Sequence, residues 1–552
     1  MQIVSQRELQ PGCGRKLHKI ISEAPDNYII SVEKGTYFFN FADTFQKKYP
    51  LSNTHFLENR TVNLPIDRKK NLVIDFNGSL LQFNGWTMPI AMDNCQNITL
   101  KNFTVDWIIP TGAEADVVQA DDQKMTLSID ERKYPYRVED GKLIFADGIF
   151  ENECWSMFEF DGQSLLARGE TLDHFGNVVF QQADSYVIAY GDFSVPAKPG
   201  NILLLRHGIR NLAGIYCQNS ENIHFENITM HASCGIGFVC QFCKDLHFRD
   251  IFTVPNTAAG RRVTSVHDDG IQCSNCRGTV EITGCCFRGL MDDGINIHGT
   301  TTVAEWIDGN TVFGEFKEGC SAGFPFYAIP GDRISFLARD TMDTLYEETV
   351  ASCDLTDRMH FTLQFQKPLP DFLVGSVMEN VTNAPMVVCR KNSFQSGRAR
   401  GMLISTPWSV LIENNVFETS GSAILSSGDA NYWFESGACK NMVVRNNVFT
   451  EHCLSGNYEF CRGVISLCPV IHAPEKSRGF HENITIENNT FVTPGRTVLY
   501  ALCTKNLIFT HNTIKSKATG SWKPVHLEYC SSVCCEPNIL EESQEDTYED
   551  LL

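Results

Sequence analysis

The sequence predicts an all-β protein, a parallel β-helix interrupted by two inserted antiparallel β modules. Three observations carry this. Short segments of one design recur: NITLKNFTV (97–105), NIHFENITM (222–230), DLHFRDIF (245–252), VEITGCCF (280–287), VLIENNVF (410–417), MVVRNNVF (442–449), ITIENNTF (484–491) and LIFTHNTI (507–514). Each is an alternating strand, a polar bend and an apolar residue. The bend residues Asn227, Asp250, Asn392, Asn415, Asn489 and Asn512 leave three neighbouring gaps of 23 residues, with longer gaps where loops are inserted. A repeat of that length built from short strands stacks as coils. Finally, the apolar spacing is two rather than about 3.6, which excludes a helical solenoid.

The elements follow in order. Residues 1–106 hold the N-terminal cap and first coils, with IISVEKGTYFF (29–39) and NLVIDFNGSLLQF (71–83) as opening strands. Residues 107–210 break the repeat with hairpin-type strands and form one inserted β module; 300–385, with TVFGEF, DRISFLA and HFTLQF, form a second. Coils occupy 211–299 and 386–530. The acidic end, 531–552, is expected to be a flexible tail. Asparagine suits the bends because it tolerates left-handed backbone and bonds its own turn.

A formal charge of −20 over 552 residues disfavours nucleic acid and acidic polysaccharide as partners and leaves neutral ones. No run of about 18 apolar residues spans a membrane. The N-terminus lacks the apolar core of a signal peptide, so the expected location is cytoplasmic, or secreted or periplasmic if a signal lies outside this sequence. The 22 cysteines are expected as reduced thiols. Cys240-x-x-Cys243 and Cys273-x-x-Cys276 have zinc-site spacing, but the repeat explains them as small core residues stacked coil on coil.

The chemistry concentrates in HDDGIQC (267–273) and MDDGINIHG (291–299). Residues one coil apart stack at about 4.8 Å. Asp269 therefore lies near Asp293 and Asp268 near Asp292, with Asp269 and Asp292 on a diagonal; Gly270 over Gly294 and Ile271 over Ile295 fix the register. With Ile271 facing the core, the acids fall at the strand entrance, on or near the outer surface. A turn ladder and a calcium site are two readings of such a cluster. Stacked like charges, however, keep one acid protonated near neutral pH, and a protonated carboxyl beside an ionised one is what glycoside hydrolysis requires. Flanking His267, Asn296 and His298 add hydrogen-bond partners suited to a sugar and favour this third reading.

Two later stretches join the argument. SGRARGMLIST (396–406) brings Arg398 and Arg400 to a coil start, close to the acids once the 300–385 insert is looped out. SSGDANYWFESG (426–437) offers Asp429, Trp433 and Glu435, and an aromatic face beside carboxylates suits a sugar ring.

HDDGIQC, MDDGINIHG, GRARGMLIS and SGDANYWFESG on a coiled β framework resemble the α-1,3-galactosidases of glycoside hydrolase family 110, from about residue 20 to 515. The Asp pair with a third Asp one coil earlier, and the Gly-Asp-Ala-x-Tyr-Trp-Phe-Glu loop, are the most specific parts. The resemblance implies a right-handed parallel β-helix with barrel-like inserts. It implies inverting release of terminal α-1,3-linked galactose, from blood-group-B-type glycans or linear α-1,3-galactosyl ends, with no metal or cofactor. It places the functional aspartates on Asp269, Asp292 and Asp293, with Asp292 preferred as the acid and the other two holding and activating water. The substrate contacts expected around them are His267, Asp268, Asn296, His298, Arg398, Arg400, Asp429, Trp433 and Glu435. The partner is then a galactose-terminated oligosaccharide, and the inserts are candidates for shaping aglycone choice or for a homodimer contact.

Two other readings compete. A polygalacturonase-like hydrolase also uses a lone Asp and an Asp pair, but its Gly-His-Gly and Arg-Ile-Lys are absent, and −20 is a poor charge for a pectate binder. A non-catalytic β-helix that binds glycans would not need like charges held together.

Overall fold

The computed structural model describes residues 1–542 apart from 11, 170–173, 176, 259 and 519–521. Its spine is a parallel β-helix. In the strands Glu221–Met230 and Lys244–Thr253, Ile223, Phe225 and Ile228 lie over Leu246, Phe248 and Ile251 and are buried, while His224 and Glu226 lie over His247 and Arg249 on the outer face. Period-two alternation turns each strand into one inward and one outward set, and stacking turns each set into columns. One column, Phe287, Phe394, Phe417, Phe449 and Phe491, runs through the core with ring centroids 4.5 to 5.0 Å apart.

The asparagine column differs in mechanism from the expectation. Left-handed backbone does fall on Asn227 and Asp250, but in the later coils it falls one residue earlier, on Lys391, Asn414, Asn446, Asn488 and His511. Asn392, Asn415, Asn447, Asn489 and Asn512 instead turn inward and are buried. The Oδ1 of each from Asn415 onward accepts the backbone N–H and the Nδ2–H of the asparagine one coil before. Each Nδ2 also donates to a carbonyl of the preceding coil. A buried amide of this kind is satisfied only because an identical one sits above and below it.

Both inserts carry cores of their own. The first is a nine-stranded sheet running from Ala113–Ala120 to Ile202–His207, antiparallel, packed on Val117, Met125, Leu127, Phe145, Val187 and Leu205. The second grows out of a coil strand. Ile295–Asp308 starts in parallel register with Ile271–Ser274, then from Thr301 pairs antiparallel with Val377–Asn380 and Thr311–Glu315. At the N-terminus, the helix Cys13–Glu23 covers the open end of the coil with Leu17 and Ile21 buried, an element that strand periodicity does not anticipate.

Two expectations need correction. Residues 531–542 are not tail: Ser531–Cys534 and Ile539–Glu542 pair in parallel with Thr504–Thr510 and Thr513–Ser516 and add a further coil, because the apolar-alternating pattern continues through SSVCCEPNIL. Of the expected tail, 543–552 lie outside the described residues. The acids also do not sit on an outer surface. Asp268, Asp269 and Asp293 are buried and Asp292 is half-buried, at a cavity whose wall takes several residues from the first insert and Cys320 from the second. All 22 cysteines are free thiols, and Cys217, Cys240 and Cys273 form one core column. No helix among the described residues is long and apolar enough to cross a membrane.

Candidate active site

Asp269, Asp293 and Arg400 occupy the same place on three successive coils, each followed by a glycine. The backbone N–H of Gly270 donates to Asp293 O at 2.9 Å, and that of Gly294 to Arg400 O at 3.0 Å. The glycines are required by close approach. A Cβ on Gly270 would meet the carbonyl of Gly294 at 2.6 Å and the Phe287 ring at 2.7 Å; one on Gly294 would meet Gly401 O and Phe394, both at 2.6 Å. The repeated Asp-Asp-Gly is thus a carboxylate pair ahead of a contact that only glycine fits, and two acids and a cation are brought onto adjacent coils.

These residues form the floor of a cavity of about 730 Å³. Its walls come from the whole chain: Asn53 and His55 from the N-terminal region, Trp155, Phe158, Arg206 and Arg210 from the first insert and its exit, Cys320 from the second, and Trp433, Glu435, Tyr458 and Phe460 from loops of the later coils. The loop at 53–55 ties the walls together, since Asn53 N–H donates to Cys320 O at 2.9 Å and His55 N–H to Arg210 O at 2.7 Å.

Each acid meets a cation. Arg206 Nη2 lies 3.2 Å from Asp268. Arg210 bridges two acids, with Nη2 2.9 Å from Asp269 Oδ1 and Nη1 3.0 Å from Asp292 Oδ2. Because the two ends of a planar guanidinium are about 2.3 Å apart, those carboxyl oxygens are within about 8 Å of each other. Arg400 grips Asp293 with Nε at 2.6 Å and Nη2 at 2.9 Å, and lies 3.9 Å from Asp292. Tyr458 OH donates to Asp292 Oδ1 at 3.1 Å, and Arg398 donates to Tyr458 OH and to Met291 O.

The environment separates the acids. Burial pushes Asp268 upward, but the charges of His267, Arg210 and Arg206 outweigh it and hold its carboxyl well below the usual range. Burial also pushes Asp269 up, and repulsion from Asp292, Asp293 and Asp268 joins it; Arg210 opposes but does not prevail, so this carboxyl is raised. Burial raises Asp293 to about 6 against the pull of Arg400, with Asp292 adding to the rise. Asp292 is the most open of the three, its side chain 16% exposed against 1% for Asp269 and Asp293.

Of the residues expected at the substrate, Asp268, Asp269, Asp292, Asp293, Asn296, Arg398, Arg400, Asp429, Trp433 and Glu435 line the cavity. His267 and His298 do not, because both rings are buried behind the wall. His267 Nδ1 faces Asp268 at 3.0 Å and Nε2 the His207 carbonyl at 3.0 Å, so it braces Asp268. His298 Nδ1 donates to Gly299 O at 2.7 Å and its Nε2 faces Gln272 and, at 3.6 Å, Glu435. Asp429 is committed to its own loop, accepting the backbone N–H groups of Asn431, Tyr432, Trp433 and Phe434. Arg400 is similarly committed to Asp293. Trp433 stands at the mouth, 40% exposed.

Sequence reasoning missed Arg206, Arg210, Trp155, Tyr458 and Asn53. The basic pair in RHGIR, at the point where the first insert returns to the coils of a strongly acidic chain, was a usable signal. Tyr458 and Asn53 carried none.

Residues 113–203 match the family model described as GLAA-B beta-barrel domain I. The chain is 37% identical over 527 residues to "Alpha-1,3-galactosidase B" of Bacteroides thetaiotaomicron, covering 92% of this chain and 85% of that one. It is 31% identical to "Alpha-1,3-galactosidase A" of Bacteroides fragilis, covering 93% and 87%. A loosely aligned solved structure is the family 28 exopolygalacturonase of Yersinia enterocolitica, at 11% identity and a TM-score of 0.37, covering 96% of this chain and 78% of that one.

Proposed function

This chain belongs to the α-1,3-galactosidases of glycoside hydrolase family 110, and on that premise we propose that it releases terminal α-1,3-linked galactose from neutral glycans, of blood-group-B type or linear, as an exo-acting, inverting, metal-independent hydrolase. The observation that carries this reading is the meeting of Asp269, Asp292 and Asp293 in one cavity, with Arg210 spanning the diagonal pair. The bound of about 8 Å on that pair admits the span of about 6.5–9.5 Å over which two carboxyls hold a sugar bond and its water.

Asp292 gives its proton to the glycosidic oxygen, and the C1–O bond breaks toward the aglycone. A water held by Asp269 and Asp293 attacks C1 from the opposite face and loses its proton to that pair, giving β-galactose. The upward shifts of Asp269 and Asp293 support a set that holds a proton near neutral pH. Titrations of coupled acids belong to the set, so an oxygen arriving at the most open member draws the shared proton there. Arg210 and Arg400 keep the cluster from carrying three uncompensated charges.

The test follows the anomer first released from an α-1,3-galactosyl disaccharide and from p-nitrophenyl α-galactoside by NMR. β-Galactose first is expected; α-galactose first, or an unsaturated product, removes the mechanism. General acid catalysis is worth about 10²–10⁴-fold. Asp292→Asn should lose that much on the disaccharide yet retain most turnover of α-galactosyl fluoride, whose leaving group needs no proton, whereas Asp269→Asn and Asp293→Asn should lose both.

A further inference from the structure

Among the described residues, two neutral side chains line the cavity while leaving a buried polar atom without a partner: Asn296 at Oδ1 and Ser405 at Oγ. Their residues are 3% and 2% exposed. Buried polar atoms are almost always paired, and one without a partner in a cavity wall marks where a ligand atom completes the set.

Their placement is dictated by the coil. Asn296 lies across from Leu403, and Leu403 across from Leu425. Ile297 and Ile404, the intervening pair, face the core with no exposure. Ser405 follows two residues after Leu403, its N–H donating to Ile297 O at 2.8 Å, so alternation returns its side chain to the cavity face. The result is an apolar strip of Leu403 and Leu425 edged by two polar atoms, on the same sheet face that carries Asp292, Asp293 and Arg400 at its entrance. Galactose matches this. Its C–H face is apolar, and the edge away from the anomeric carbon carries hydroxyls at C4 and C6. None of Asn296, Leu403, Ser405 and Leu425 is a cation that could neutralise a carboxylate, so an uronic acid fits this strip less well.

We propose that Ser405, with Asn296, reads the C4–C6 hydroxyl edge of the terminal galactose and is a specificity-determining residue of this enzyme. The proposal rests on the galactoside reading above and deepens it. Ser405 Oγ donates to or accepts from one of these hydroxyls, Asn296 Oδ1 accepts from a hydroxyl, and the two leucines carry the sugar's apolar face.

The experiment is a cycle of protein and ligand deletions read by binding, so that it does not depend on turnover. Dissociation constants of galactose, 2-deoxygalactose, 4-deoxygalactose and 6-deoxygalactose are measured by NMR titration for the native protein and for Ser405→Ala, with Ser405→Thr as the variant that keeps the hydroxyl. Ser405→Ala should weaken galactose about tenfold to a hundredfold, and the weakening should vanish for the 4-deoxy or the 6-deoxy sugar while persisting for the 2-deoxy sugar. Ser405→Thr should restore part of the affinity. An equal loss for all four sugars, coupling to the 2-position alone, or no loss overturns the assignment. Failure of the native protein to bind galactose overturns it together with the proposed function. Coupled binding without any α-galactoside hydrolysis leaves the subsite standing and removes only the catalytic reading.

Discussion

Replacing Arg210 by glutamine takes a positive charge from between Asp269 and Asp292 at little change in volume. The contacts are 2.9 and 3.0 Å. At an effective dielectric near 20, each is worth about 5–6 kcal/mol of attraction before the cost of burying the ions is counted. Removing one partner of such a buried set typically costs about 3–5 kcal/mol, because the remaining charges are left uncompensated. The loss has a sign in pH. Asp269 is already raised by burial and by its acidic neighbours. Without Arg210 the folded protein holds its protons to still higher pH, while the unfolded chain releases them at ordinary carboxylate values. The folded state then binds more protons than the unfolded one across that window, so stability falls as pH rises. The penalty of Arg210→Gln should therefore be small near pH 5, where the acids can take up a proton, and should approach the full value near pH 8. Unfolding of both proteins by denaturant across pH 5–9 measures it. A penalty that is flat with pH, or greatest at pH 5, would refute the account of Arg210 as the counter-charge of the cluster.

Other outcomes follow from the same structure. Asn447→Ala breaks the buried amide column between Asn415 and Asn489, leaving several polar groups of the adjacent coils without partners; a loss of about 1–3 kcal/mol or more in denaturant unfolding is expected, and Asn447→Asp should not restore it. Glu379, buried in the second insert, is pushed from 4.5 to about 7, chiefly by burial. It keeps its proton in the folded state but not in the unfolded one over that window, so it lowers stability as pH rises through it. Glu379→Gln should match the native protein near pH 4 and exceed it by up to about 3 kcal/mol above pH 7, measured by the pH dependence of unfolding. Phe417→Ala removes the middle of the aromatic column and should cost about 3–5 kcal/mol, with the Asp269–Asp293 coils among the first to exchange amide hydrogens.

How much of this was legible beforehand divides along a physical line. A β-helix is nearly one-dimensional, because each coil touches its neighbours and little else. Sequence periodicity therefore reports real contacts: Asp269 near Asp293, Gly270 under Gly294, Ile271 under Ile295, Arg400 one coil further on, and the cysteine and asparagine columns. It erred on detail where a side chain's direction mattered, as in the left-handed residue lying one position before each buried asparagine from Asn392 onward. It also erred where the repeat weakened, as in residues 531–542.

The sequence by itself determined the coil, its register and the gathering of three acids, since all of these follow from spacing along the chain. Only the tertiary structure decided what those acids became. Arg206, Arg210 and Tyr458 reach them from 62 to 166 positions away in sequence. The inserts that carry or flank them pack by surface fit, which no period encodes. That packing turns a row of carboxylates into the floor of a walled cavity, holds His267 behind its wall, and sets the charge states of Asp268, Asp269 and Asp293, because an ionisation depends on every charge and every water excluded around it.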